Sequence, residues 1–413
     1  MDGDRREWMA WALARLMQVV AQLSGRGGTT APGRWARAVD RDVLRHFGSQ
    51  FVHGVVLVTG TNGKTTSAAL ISRAARAMGW RVVSNDSGAN LEAGLIASLV
   101  RALRPGQEAD LAVLEVDEAT LPAVVPALAP RCLVVTNFFR DQLDRYGELA
   151  TVVERVRQAA SEAPRATLVV NADDPSVASL LTAEGTSVIY SVSEQPVIED
   201  AAGATDHQPQ TVAHGDAALC PRCGSQLRYA QVVYAHMGDY ACPKCGFRRP
   251  DAQLEVVTAA AACRVRIGGQ ETRFDLPLPG IYNAYNVAAA LATASELGIP
   301  LSVAAQAIAA AEPVFGRMQA FNMAGHPVRL VLVKNPAGFD SVLDWLQHER
   351  PSTLVIAIND LDADGHDVSW LWDVRIEDYV AWLGELQHFI VAGLRGPEMA
   401  LRLALAGVDR DRI

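Results

Sequence analysis

Four groups of residues in this sequence have the types and spacing to do chemistry. The first is "VTGTNGKTT", residues 58–66, in which Gly60 and Gly63 frame a tight turn followed by a lysine and two threonines. Glycines let such a turn face its amides inward, a helix beginning near Lys64 adds its positive dipole end, and the combination binds phosphates. Lys64 is placed to reach the β and γ phosphates, and the hydroxyl of Thr65 or Thr66 to hold Mg2+. The strict pattern wants a glycine five residues before Gly63, and Val58 stands there, so the loop is a shortened variant. ATP is the expected nucleotide, held by Gly60, Thr61, Asn62, Gly63, Lys64, Thr65 and Thr66.

The second group is "LAVLEVDE", residues 111–118. A metal carboxylate belongs at the carboxyl edge of a neighbouring strand, and Glu115 ends the most apolar part of this run, which makes it the expected Mg2+ ligand beside Thr65. Asp117 and Glu118 read as a solvated helix start. In "NADDP", Asp174 before Pro175 reads first as an N-cap with proline at the first helical position. The third group is "CPRC" at 220–223 and "CPKC" at 242–245, with 18 residues between the pairs. That spacing fits a four-thiolate zinc ribbon of Cys220, Cys223, Cys242 and Cys245, a closed structural site worth on the order of 10 kcal/mol to local folding. Two separate redox centres are the alternative. Cys132, inside a strand pattern, and Cys263, beside alanines, read as buried apolar residues. The fourth group is the acidic stretch "NDLDADGHD", residues 359–367, whose spacing misses the EF-hand pattern and which reads blandly as a solvated turn.

The elements that must position these groups are visible as alternating patterns. Apolar runs "VVLVTG", "RVVS", "LAVLEVDE", "RCLVVTNF", "TLVVNADD" and "SVIYSV" alternate with helical stretches, as in a doubly wound, mostly parallel α/β sheet. Between about 195 and 255 that rhythm stops, so the cysteines sit in an insertion at about 216–250. A last α/β layer starts at 317. The expected division is an N-terminal helical segment at 1–48 that packs on the core, a central nucleotide domain at 49–316 and a smaller domain at 317–413. The last of these ends with fewer strands than such a layer usually carries, as a truncated sheet would. Residues 7–23 have helical length and two tryptophans, and they pack on the next domain or lie on a membrane surface.

Composition narrows the class. The chain has 413 residues, half of them hydrophobic, and a formal charge of −9, which argues against a general nucleic-acid partner. No run of 18 apolar residues occurs and the acidic opening lacks the basic region of a secretory signal, so a cytoplasmic setting is expected. Of 37 basic residues only Lys64, Lys244 and Lys334 are lysines, and each either marks a place where a compact ammonium is wanted rather than a planar fork or survives by chance.

Taken in order, "GTNGKTT", "LEVDE", "TNFFRDQLDRYGE", "NADDP", "GIYNAYN" and "FGRMQ" resemble the Mur ligase superfamily, ATP-dependent enzymes that activate a carboxylate as an acyl phosphate and couple it to an amine. The resemblance puts Asn283 and Asn286 near the nucleotide, Arg317 at the phosphates, and Lys334 and Asn335 at the active site. Gln142 stands where amino-acid-adding members carry a histidine, which favours ammonia as the amine. With the inserted cysteines and the "KNPAGFD" and "NDLDADGHDVSWLWD" stretches, the chain is similar to the amidoligase branch, the ligase subunits of lipid II isoglutaminyl synthases in peptidoglycan and cell-wall biogenesis. That implies amidation of the D-glutamate α-carboxylate of lipid II, at the inner face of the cell membrane, with ammonia from a heterodimeric glutaminase partner of the GatD type. It also implies that Asp367 orients the partner's histidine, with Asp364 and Asp360 as fallbacks. The turn in "SNDSGANLEAGL", residues 84–95, is a candidate for lipid II contacts. The competing readings are an amino-acid-adding or folylpolyglutamate-type ligase, and a zinc-ribbon ATPase on nucleic acid.

Overall fold

The computed structural model describes residues 2–23, 30–85, 89–140, 149–194, 216–259, 262–312, 317–361 and 366–413. Two compact units result. The first comprises Met1–Phe138, Val152–Pro277 and Ile281–Glu312; the second Phe139–Thr151, Leu278–Gly280 and Pro313–Ile413.

The first unit opens with three helices, α1 (Asp2–Leu23), α2 (Ala31–Val39) and α3 (Val43–Gly48). Its centre is a nine-stranded sheet built from β1 (Val55–Thr59), β2 (Val82–Ser84), β3 (Leu111–Glu115), β4 (Cys132–Val135), β5 (Thr167–Asn171), β6 (Ser187–Glu194), β9 (Leu254–Ala259), β10 (Ala262–Ile267) and β11 (Gln270–Asp275). The intervening β7 (Arg228–Tyr234) and β8 (Met237–Ala241) form a separate hairpin. In space the sheet runs β11-β10-β9-β6-β5-β4-β1-β3-β2. It is parallel from β2 to β9, and β10 and β11 are antiparallel. Every residue of β1, β3 and β4 is buried, as expected of parallel strands covered on both faces.

Strand β1 lies between β3 and β4, so the order reverses at its carboxyl end, where open α/β sheets place their ligands. The helix α4 (Lys64–Ala77) leaves that end, and the alanine-rich helix Ile281–Glu296 packs against α4 and the sheet. Helix α1 packs on α2 and on α5 (Glu92–Ala102). Its Trp11 Nε1 donates to the carbonyls of Leu103 (2.8 Å) and Val100 (3.2 Å), two of the unpaired acceptors at the end of α5.

The second unit holds the hairpin β12 (Arg317–Met323) and β13 (His326–Val331), and a parallel pair β14 (Thr353–Ala357) and β15 (His388–Ala392). The helices Pro336–Glu349 and Gly396–Ala406 are its longest among the described residues. Its core gathers Phe339, Leu343, Ile356, Tyr379, Trp382, Phe389, Met399 and Leu403. Buried Arg402 braces this core by donating to the carbonyls of Val374 (2.6 Å) and Leu371 (3.2 Å) and to the Glu377 carboxylate.

Candidate active site and metal centre

At the end of β1 the chain turns through Gly60 (φ 116) and Gly63 (φ 85), both in the region that favours glycine. Neither tolerates a side chain. A Cβ on Gly60 would lie 2.3 Å from Thr136 Oγ1, and one on Gly63 2.1 Å from Asn286 Oδ1. The loop is held from the end of β4. Asn137 accepts from Thr61 N through its carbonyl and from Asn62 N through Oδ1, both at 2.9 Å, while Thr136 Oγ1 and Asn137 Nδ2 donate to the Asn62 carbonyl. Those two amides are therefore spent on the protein, contrary to the expectation that they face inward. The anion-facing set becomes the first-turn N–H groups of α4, which have no intrahelical carbonyl.

Lys64 Nζ lies 2.9 Å from Glu118 Oε1, 2.5 Å from the Gly60 carbonyl and 3.2 Å from that of Thr61. Glu118 Oε1 also accepts from Gly60 N at 3.0 Å. This corrects the reading of Asp117 and Glu118 as a solvated helix start, because both are buried. The sequence reading missed Glu118: no periodicity marks it, and the backbone after β3 turns it in under the loop. Thr65 Oγ1 donates to Glu115 Oε2 at 2.7 Å. Asn85 fixes that strand end in both directions, Glu115 N donating to Asn85 Oδ1 (2.9 Å) and Asn85 Nδ2 to the Glu115 carbonyl (2.8 Å).

Three buried carboxylates, Glu115, Asp117 and Glu118, thus face one ammonium. Burial opposes the Lys64 charge, but Glu118, Glu115 and Asp117 outweigh it and raise the lysine above its ordinary value. Burial lifts the Glu118 carboxyl above the usual range, with Lys64 opposing and Asp117 adding. The surplus of negative charge beside the Thr65 hydroxyl suits a divalent cation bound by oxygen ligands, so the donor set fits Mg2+. Asn286 joins from the helix Ile281–Glu296, accepting from Ser67 Oγ at 3.3 Å and donating to Asn283 Oδ1 at 3.1 Å. Asn283 therefore reaches the loop through Asn286.

The four cysteines of the two pairs converge, their sulfurs all within 4.8 Å of one another. The pairs are built alike. Cys220 N donates to Ser225 O and accepts back from Gly224 N through its own carbonyl, and Cys242 does the same with Phe247 and Gly246. Cys220 Sγ stands 3.6 Å from Cys245 Sγ, and Cys223 Sγ 3.5 Å from Cys242 Sγ. Burial pushes the Cys220 thiol up to about 12, whereas hydrogen bonds from Ser225 draw Cys223 down to about 6. Four soft donors in this arrangement can hold a metal ion with no position left open. Cys132 and Cys263 are buried, and burial pushes each thiol up to about 12, which makes them inert.

The cysteine module is seated on the "NADDP" turn. Arg249 Nε donates to Asp173 Oδ1 at 2.6 Å, Tyr240 Oη to the Ala172 carbonyl at 3.1 Å, and His236 Nε2 stands 3.4 Å from Asp174 Oδ2. Asp174 is the expected N-cap, accepting from Ser176 N and Val177 N, and it accepts as well from Phe138 N.

In the second unit, Asn335 caps the helix Pro336–Glu349, its Oδ1 accepting from Gly338 N at 2.9 Å, and Lys334 precedes it. Arg317 opens β12, and its side chain lies outside the described residues. Asp367 is half-buried and caps a short 3-10 turn by accepting from Ser369 N at 2.8 Å. Asp360 is engaged by Arg395 at 2.7 Å. Asp364, Gln142 and residues 86–88 lie outside the described residues.

A glycine-framed loop thus stands at the reversal point of a parallel sheet, with a threonine–glutamate pair beside its lysine. Residues 58–215 match the Mur ligase middle domain model and 332–413 the MurT ligase C-terminal model. Among solved structures, a pseudomurein peptide ligase type C from Methanothermus fervidus shares the fold with a TM-score of 0.66 at 22% identity, over 88% of this chain and 68% of that one. MurF from Acinetobacter baumannii does so with a TM-score of 0.61 at 17% identity, over 90% and 70%. In sequence, the chain is 35% identical over 405 residues to subunit MurT of the glutamine-hydrolyzing lipid II isoglutaminyl synthase of Staphylococcus aureus strain N315, covering 98% of this chain and 89% of that one. The corresponding Streptococcus pneumoniae R6 subunit is 32% identical over 393 residues, covering 94% and 84%. The chain belongs to the MurT family of Mur ligases.

Proposed function

We propose that this chain is the ligase subunit of a lipid II isoglutaminyl synthase, converting the D-glutamate α-carboxylate of the stem peptide to an amide with ATP and with ammonia from a GatD-type glutaminase. The observation that carries the reading is the convergence of Lys64, Thr65 and Glu115 on one phosphate-binding turn, in a chain whose full-length relatives carry that name. The N–H groups that open α4 bind the phosphates, and Lys64 exchanges Glu118 for the transferring phosphoryl group, whose charge it stabilises. Thr65 and Glu115 would hold Mg2+, which supplies further charge neutralisation at the phosphates. Transfer of the γ-phosphoryl group to the carboxylate gives an acyl phosphate and ADP; ammonia attacks its carbonyl carbon and inorganic phosphate leaves. Asn283, Arg317, Lys334 and Asn335 keep the nucleotide-site roles that the resemblance implies.

Asp367 is assigned to the glutaminase partner. One of its oxygens is taken by Ser369 N, which fixes the carboxylate and leaves the second to orient an imidazole. The four-cysteine module is assigned structural zinc, which Cys220, Cys223, Cys242 and Cys245 would hold through four thiolates, their sulfurs lying within 4.8 Å of one another. Its work is to fold residues 216–250 onto Asp173 and Asp174.

The test is amide formation on lipid II with ATP and glutamine, by this chain alone, with a GatD-type partner, and with ammonium chloride in place of both. Asp367→Asn is expected to lose roughly 10⁴-fold with glutamine and to be restored by ammonium. Absence of amidation by well-folded, metal-loaded protein under all three conditions would refute the reading, and turnover stimulated by an amino acid without glutaminase would put an amino-acid-adding ligase in its place.

A further inference from the structure

Helix α1 has two faces. One is packed, with Ala10 and Ala14 fully buried, Trp11 bonded to the end of α5, and Gln18 Nε2 donating to the Ala97 carbonyl at 2.8 Å. The other carries Trp8, Met9, Leu16, Val19, Val20 and Leu23, whose exposures run from 47% at Val19 to 83% at Leu23. At 3.6 residues per turn these six fall within an arc of about 120°, a continuous apolar stripe roughly 22 Å long. Arg6 and Arg15 border that arc on its two sides, and Arg5 lies at its N-terminal end, while Glu7 falls outside it. Within α1, Arg5, Arg6 and Arg15 are matched in number by Asp2, Asp4 and Glu7, and the local surplus of positive charge comes from residues 24–39, which add Arg26, Arg34 and Arg37 and no acid in a chain whose overall charge is −9. Helix α2 adds exposed Trp35 beside exposed Arg34, while Arg37 is ion-paired with Glu92.

We infer that α1 is an interfacial helix that lays this stripe on an anionic lipid bilayer. A protein partner of useful area brings about one hydrogen bond per 100–200 Å², and within the stripe the only side-chain polar group is the Trp8 indole N–H. A bilayer asks for what is present: apolar side chains to enter the acyl boundary, a tryptophan at the headgroup level, and flanking arginines that keep their charges among anionic headgroups. The inference stands on the helix and not on the ligase reading, since it needs no substrate in the membrane.

The experiment is flotation of the full chain with vesicles of phosphatidylcholine containing about 30% phosphatidylglycerol, with pure phosphatidylcholine vesicles as the contrast. Wild type is expected to float with the anionic vesicles, less at high salt, and with a blue shift of tryptophan emission. Leu16→Glu/Val20→Glu places two charges in the stripe at exposed positions; ATP turnover in solution should be unchanged, and vesicle partitioning should fall at least about tenfold. Arg5→Glu/Arg6→Glu should remove most of the preference for anionic over neutral vesicles. Failure of wild type to float at low salt, or equal flotation of the Leu16/Val20 variant, overturns the inference. So does a variant that floats normally but loses self-association or glutaminase binding, which would give the face to a protein.

Discussion

Removing Lys64 should reveal that it holds the fold through Glu118. Its ammonium and the Glu118 carboxylate are 2.9 Å apart, with side chains only 13% and 7% exposed. In Lys64→Ala the carboxylate keeps the Gly60 N–H but loses its counter-charge, and breaking a buried pair from one side costs about 3–5 kcal/mol. The cost must depend on pH. Burial raises the Glu118 carboxyl in the folded protein, and without Lys64 it is raised further. A carboxyl raised on folding contributes stability in full below its unfolded value and loses it as pH rises through the folded one. The deficit of Lys64→Ala should therefore be small near pH 4 and grow to its full size towards pH 8, at about 1.4 kcal/mol per unit of extra shift. Lys64 itself is raised, so its own contribution disappears only above its unfolded value of 10.5 and is constant across that window. Lys64→Ala/Glu118→Gln removes the orphan charge while an amide oxygen can still accept from Gly60 N. Its denaturant midpoint should recover towards wild type at pH 8 and lose the pH dependence, while ATP turnover stays absent in both variants. The reasoning is refuted if the double variant is no more stable than the single one at pH 8, or if the deficit of the single variant does not change with pH.

Gly63→Ala forces a side chain into the left-handed region, at about 1–2 kcal/mol, and against Asn286 Oδ1; we expect the KM for ATP to rise by roughly tenfold or more, with partial return in Gly63→Ala/Asn286→Ala. Cys220→Ser or Cys242→Ser should abolish one tightly bound zinc per chain, measured by native mass spectrometry, and open residues 216–250 to proteolysis before the sheet is cut. Arg402→Met should destabilise the second unit by about 2–3 kcal/mol, measured by denaturant unfolding, because the carbonyls of Leu371 and Val374 lose their donor. The half-exposed Glu377 partner should add little, so Glu377→Gln should be nearly silent.

The parts of the site that could be read from the sequence are those whose physics is local. Gly60 and Gly63 declare a turn at positive φ ahead of a helix within five residues, each cysteine pair declares a tight turn within four, and Asp174 before Pro175 declares a helix cap, all observed as such. What could not be read is set by contacts between distant segments. Glu118 resembles any acid at a helix start until the turn after β3 buries it against Lys64, 54 residues away. The cysteine spacing likewise says nothing about what the module rests on. Asp173 meets Arg249 across 76 residues, and Asp174 adds His236 to its capping bonds and to Phe138 N. Phe138 adjoins Asn137, which holds the amides of Thr61 and Asn62. A chain of hydrogen bonds and ion pairs therefore runs from the cysteine hairpin through the two aspartates to the loop that carries Lys64. An insertion placed between β6 and β9 can be a support for that loop because those aspartates stand at the end of β5, between the hairpin and β4.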